Sequence, residues 1–172
     1  MDFSLYIGSD LPKKELGELL YSMIFEVLFV ELIDYEAEVR DSSFAQEVNV
    51  VCTYFSMDTN SDDDDDYTER FRKANLESYG VDTNVFFSIQ FKSYSFEIGW
   101  LKLLEVIGKL LQLNDSDLFV LDDTSYPLLK RVKGRLLINS NLDYRWWYLT
   151  TENLELLNYP YDKEDFLKES EK

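Results

Sequence analysis

Between Asp58 and Glu69 the chain spaces its oxygen-bearing side chains as a calcium loop does. Asp58, Asn60, Asp62, Asp64, Asp66 and Glu69 fall at positions 1, 3, 5, 7, 9 and 12 of the twelve-residue EF-hand pattern. The sixth position, where that loop turns sharply on a glycine, is Asp63, and the flank before it reads as strand instead of helix. A run of aspartates matches such spacing by chance, so no metal is expected here. Asp62, Asp63, Asp64, Asp65 and Asp66 are five like charges in a row, which repel and resist packing. The expectation is a mobile acidic loop at about 58–67, available to a basic partner.

Other chemistries lack their central residue. The chain has no histidine, which removes the commonest general base, the usual partner of a nucleophilic serine or cysteine, and the commonest zinc ligand. The six glycines are scattered and none forms a G-x-G pair, so no phosphate-cradling loop is present. Two carboxylates suffice for glycoside hydrolysis, but nothing singles out a pair among thirty-four acids. Cys52 is the single cysteine and forms neither an internal disulfide nor a multi-cysteine metal site. Between Val50, Val51 and Tyr54 it reads as a buried thiol. No catalytic residue and no cofactor follow from these observations.

Two further groups bear on binding. Lys130, Arg131, Lys133 and Arg135 form a basic hairpin, expected to be a solvated strand face that balances nearby acids. Trp146, Trp147 and Tyr148 are consecutive aromatics. In extended backbone neighbours face opposite ways, which would expose one tryptophan as an interface anchor; the alternative packs both into the core.

The whole chain is acidic. Seventeen Lys and Arg against thirty-four Asp and Glu give a charge of −17 over 172 residues. Such a balance opposes binding to phosphate backbones and to anionic lipid, and its field attracts basic proteins. Acidity that serves solubility alone is the competing explanation. Residues 1–84 carry twenty acids and six bases, −14, whereas 85–145 carry seven and eight, +1, and 146–172 carry seven and three, −4. An acidic binding face would draw on the first half and the tail. The N-terminus lacks the pattern of a signal peptide, and no apolar run approaches the ~20 residues of a membrane span. A cytoplasmic location is expected.

These residues need elements to position them. Asp2–Gly8 alternates as a strand, and Pro12–Glu26 places Leu16, Leu19, Leu20 and Met23 on one face of a helix opened by Pro12. Leu32–Arg40 and Val48–Met57 are each expected to be a strand, and Tyr67–Tyr79 a short helix stopped by Gly80. Asn84–Lys92 is a further strand. A helix over Trp100–Leu113 collects Trp100, Leu103, Leu104, Ile107, Leu110 and Leu111 on one side, despite the cost of Gly108, about 1 kcal/mol relative to alanine. Leu118–Leu121, Leu128–Val132 and Arg135–Ile138 form a meander with a tight turn at Lys133-Gly134. A short helix near Thr151–Leu157 follows. The expectation is one α+β domain over 1–172, a mainly antiparallel sheet with two principal amphipathic helices.

The second half carries a family resemblance. Strand Val85–Lys92 and helix Trp100–Leu113 lead into Asp115-Ser-Asp-Leu-Phe-Val-Leu, then Leu128-Leu-Lys-Arg-Val-Lys-Gly-Arg-Leu-Leu-Ile-Asn, an aromatic at Trp146 or Trp147, and Tyr159-Pro-Tyr. This order resembles the Sit-type immunity proteins of bacterial polymorphic-toxin systems, and the opening strand with its Pro-led helix is similar to their start. Residues 30–80 have no counterpart, and Asp122-Asp123-Thr124 stands where the family tends to an Asn-Gly-like turn. The resemblance implies a non-enzymatic protein that binds and neutralises a cognate toxin; the acidity adds that the toxin is basic. Alternatives from other classes are a bacterial or phage adaptor whose acidity serves solubility, and an acidic mimic of nucleic acid.

Overall fold

The computed structural model describes residues 1–28, 36–42, 45–59 and 65–167. Alternation at the N-terminus does form a strand, β1 (Asp2–Ile7), with Phe3, Leu5 and Ile7 buried. Pro12 stands just before α1 (Lys13–Leu28) and its carbonyl accepts the first helical hydrogen bond, from Leu16 N–H at 3.0 Å. Then come β2 (Glu36–Ser42), β3 (Ala45–Val51), β4 (Phe55–Thr59), α2 (Asp65–Tyr79) and β5 (Val85–Phe91). A 3-10 turn, Ser93–Ser95, leads into α3 (Phe96–Leu113). The meander is β6 (Leu118–Leu121), β7 (Pro127–Val132) and β8 (Arg135–Asn139). A 3-10 helix over Asp143–Leu149, α4 (Thr151–Glu155) and β9 (Tyr161–Glu164) complete the described chain.

All nine strands join one sheet in the order β2-β3-β4-β5-β1-β6-β7-β8-β9, antiparallel throughout except for the β8–β9 pair. The architecture is α+β, as expected. Helices cover both faces. On one, Phe3, Leu5, Phe87, Ile89 and Val120 pack with Leu16, Leu20 and Ile24 of α1 and with Trp100, Leu103 and Ile107 of α3 in one buried cluster. On the other, α2 lays Phe71 on Tyr6 and Phe86, and Tyr79 on Phe119 at 4.6 Å between ring centroids. Edge strand β9 follows Pro160 and carries Asp162, Lys163 and Glu164, features that discourage another chain from pairing there.

Five expectations need correction. The acidic segment 58–67 is not one loop: Asp58 and Thr59 belong to β4, and Asp65, Asp66 and Tyr67 open α2. Asp62, Asp63 and Asp64 lie outside the described residues, as does the start of the strand expected over Leu32–Arg40. Val48–Met57 is two strands: the chain turns at Cys52–Tyr54, closed by Cys52 N–H donating to Phe55 C=O at 2.9 Å. Cys52 is buried as expected, its thiol pushed up by that burial. The helix expected from Trp100 begins a turn earlier, at Phe96, and the aromatic triplet is helical, not extended.

The basic hairpin, too, differs from expectation. Lys130 and Arg131 are 3% and 1% exposed, so neither lies on a solvated face. They are successive residues of β7 and therefore point to opposite sides of the sheet, where each meets the C-terminus of a helix. Arg131 donates to Leu111 C=O of α3 at 2.7 Å, to Ser116 C=O at 2.7 Å and to Asn114 Oδ1 at 3.2 Å. Lys130 donates to Tyr79 C=O, the last residue of α2, at 3.2 Å, and lies over the Phe166 ring. Neither helix has a base in its own last turn. β7 supplies both, satisfying carbonyls a helix end leaves open and opposing the negative end of its dipole. The turn after β7 is as expected: Lys133 and Gly134 both have positive φ, 50° and 76°.

Candidate functional site

The 3-10 helix Asp143–Leu149 has three residues per turn, so positions three apart share a side. That periodicity sorts its side chains. Arg145 and Tyr148 turn inward, each 6% exposed. Asp143, Trp146 and Leu149 face a cleft of about 520 Å³, bounded also by the end of β8, by Thr150 and Thr151, and by Lys163 of β9. Tyr144 and Trp147 take the third side: Tyr144 is exposed, and Trp147 packs edge-on against Phe96 at 5.7 Å. Of the two tryptophans expected to bind, only Trp146 is held out, with 65% of its surface exposed.

The base beneath Trp146 is rigid. Asp122, 3% exposed, accepts from Thr124 N–H and Oγ at 2.8 Å and from Tyr126 N–H at 2.9 Å through one oxygen, and from Arg145 Nε through the other. Arg145 also donates to Thr124 Oγ at 2.6 Å, and its guanidinium lies between the rings of Tyr126 and Tyr144, 4.1 and 4.3 Å from their centroids. The Tyr126 hydroxyl in turn donates to Asn141 C=O. Burial pushes the Asp122 carboxyl up, but the bonds from Tyr126, Arg145 and Thr124 outweigh it and hold the group below its ordinary value. Burial near Asp123 and Asp122 pushes the Tyr148 phenol up to about 12. On the other flank Asn153 Nδ2 donates to the carbonyls of Trp147 and Tyr148 at 3.0 and 3.1 Å. Asp143, at the head of the 3-10 helix, has φ of 51°, a conformation that aspartate tolerates better than most residues.

A second cleft of similar size, about 530 Å³, lies where β1, α2, α3 and the β7–β8 turn meet. Its polar groups hold loops together. Arg72 pairs with Asp82 at 2.6 and 3.1 Å, Asp117 accepts from the backbone of Asp82 and Lys133, and Asn84 exchanges two bonds with the backbone of Ser9. The hydrogen bond from Arg72 holds the Asp82 carboxyl low. The Trp146 cleft differs in being lined by an exposed aromatic side chain.

Among the described residues no group of three or more His, Cys, Asp or Glu is placed to hold a metal ion. Asp58 of the calcium-like pattern is in a strand, and Asp66 and Glu69 are in a helix. No described helix is long and apolar enough to cross a membrane. Compared with protein families, curated proteins and solved structures, the chain matches none. The site therefore stands on its own geometry. Sequence reasoning singled out Trp146 by residue type but missed Asp143, Asp122 and Arg145. Asp122-x-Thr124 was visible as a side-chain-to-backbone turn; its pairing with Arg145, twenty-three residues on, exists only in the fold.

Proposed function

We propose that this chain is a non-catalytic binding protein of the immunity type: in the cytoplasm it captures a cognate toxin domain with a basic surface and blocks it by occupation. The observation that carries the reading is Trp146, a large aromatic exposed beside a cleft while its neighbour Arg145 is locked into a buried ion pair. Exposing an indole forgoes hydrophobic stabilisation, and a pre-ordered aromatic contributes binding energy with little ordering cost. The charge of −17 supports a basic partner, and the absence of histidine supports binding over catalysis. The order of motifs resembling Sit-type immunity proteins supports a toxin as that partner.

Co-expression with the product of the adjacent upstream gene tests this. Cells are expected to survive that gene only when this protein is present, the two proteins to co-purify, and Trp146→Ala to weaken the complex by about 2 kcal/mol, the scale of an interface anchor. A harmless neighbour, or rescue with no detectable complex, would retire the immunity reading.

A further inference from the structure

We propose that the cleft beside Trp146 is a receptor for a single cationic side chain, lysine or arginine, presented by a basic protein; this rests on the binding reading above and gives it an address. The 3-10 repeat puts Asp143 and Trp146 on one side of their helix, both lining the cleft. An indole face attracts a cation through its quadrupole, and a carboxylate one turn away supplies the counter-charge. Other polar residues lining the cleft, Ser140, Asn141 and Thr151 among them, offer acceptors for the remaining N–H groups. About 520 Å³ exceeds what one side chain fills, so water or flanking residues of the partner share the space. Lys163 of β9 also lines the cleft and repels any incoming cation, so the indole and the Asp143 carboxylate together must outweigh it. The neighbouring cation is already neutralised: Arg145 is bound to Asp122 and faces the core.

A short peptide, acetyl-Gly-Arg-Gly-Arg-Gly-amide, serves as probe, with its glutamine counterpart as control. The readout is the indole N–H signal of Trp146 in nitrogen-correlated spectra at physiological salt. That signal is assigned by its loss in Trp146→Phe, and is distinct from Trp100, whose indole N–H donates to Tyr148 C=O at 2.7 Å. The arginine peptide is expected to shift the Trp146 signal saturably and the glutamine peptide to leave it in place. Asp143→Asn is expected to weaken the arginine response roughly threefold, the scale of an exposed ion pair. Asparagine also tolerates positive φ, so this variant keeps its backbone, and it changes the net charge by one, leaving the long-range field nearly intact. Equal shifts by the two peptides, a Trp146 signal that does not move, or full affinity in Asp143→Asn would each overturn the proposal. The two readings fail separately: a toxin complex with an unresponsive cleft removes the cation site alone, and a responsive cleft with no toxin complex removes the immunity reading alone.

Discussion

Asp122 uses both carboxylate oxygens inside the protein, and its ionised form is the one that fits. Arg145 has no other carboxylate among its bonds, so Asp122→Asn would leave a buried guanidinium without its counter-charge, at a cost of about 3–5 kcal/mol near neutral pH. The sign with pH follows from the direction of the shift. The folded carboxyl titrates below its unfolded value of about 3.9, so its contribution is fully present above that value and lost as pH falls through the lower, folded one. Asparagine resembles the protonated acid. Urea unfolding of the two proteins should therefore show a large stability gap at pH 6 that narrows steadily below pH 4. A gap that stays constant on acidification would mean that the variant fails through packing, not charge. Because Arg145 immediately precedes Trp146 and is held by this pair, the loss should also loosen the exposed anchor.

At the scale of elements, the close approach of α3 to the turn after α4 depends on Gly108. A Cβ built there would lie 2.4 Å from Leu157 O and 2.9 Å from its carbonyl carbon and Cα. Alanine normally favours a helix over glycine by about 1 kcal/mol, yet overpacking costs typically 1–3 kcal/mol and here the obstruction is backbone. Gly108→Ala is expected to lower the unfolding free energy by about 2 kcal/mol in chemical denaturation; a stabilised variant would show that the contact is slack. From sequence alone Gly108 reads only as a flaw in a good helix, since its reason lies forty-nine residues away in Leu157. The same distinction separates what was readable from what was not. β6, β7 and β8 were readable because short apolar runs, buried on both faces, and the Lys133-Gly134 turn are local signals, and α1 and α3 because their apolar stripes are. The split of Val48–Met57 into β3 and β4 was hidden by an unbroken run of β-formers across a turn without Gly or Pro. The 3-10 helix was hidden because three adjacent aromatics suit a strand equally well, and the Arg145 beside them pairs with the remote Asp122. Trp146 was therefore visible as an anchor type, but its cleft and its partner Asp143 were not.

For the molecule as a whole, the strands of the acid-rich stretch of sequence and the strands beside the anchor lie toward opposite ends of one sheet. Residues 31–66, which include β2, β3 and β4, hold twelve acids and one base, a balance of −11 within the total of −17. Residues 118–167, from β6 to β9, hold eight acids and six bases, only −2. The cleft borders β8, which is seven places from β2 in the strand order, and at ~4.8 Å per strand that is about 34 Å. Physiological salt screens exposed charges beyond ~8 Å, so acids on β2 and β3 act on encounter and orientation, not on contacts at Trp146. Steering and grip are thus separable in the proposed toxin complex. Replacing Asp62, Asp63 and Asp64 with asparagine changes the charge from −17 to −14 and leaves Asp65 and Asp66 in the first turn of α2. At low ionic strength this triple variant should associate several-fold more slowly with unchanged dissociation, and the difference should fade as salt approaches physiological strength. Trp146→Ala should behave in the opposite way, dissociating roughly thirtyfold faster, the equivalent of about 2 kcal/mol, with association nearly unchanged at either salt. Stopped-flow mixing with the toxin domain at two salt concentrations reads both rates. If the triple variant instead dissociates faster at physiological salt, the acidic segment makes direct contact with the toxin, and the division between a steering end and a gripping end is wrong.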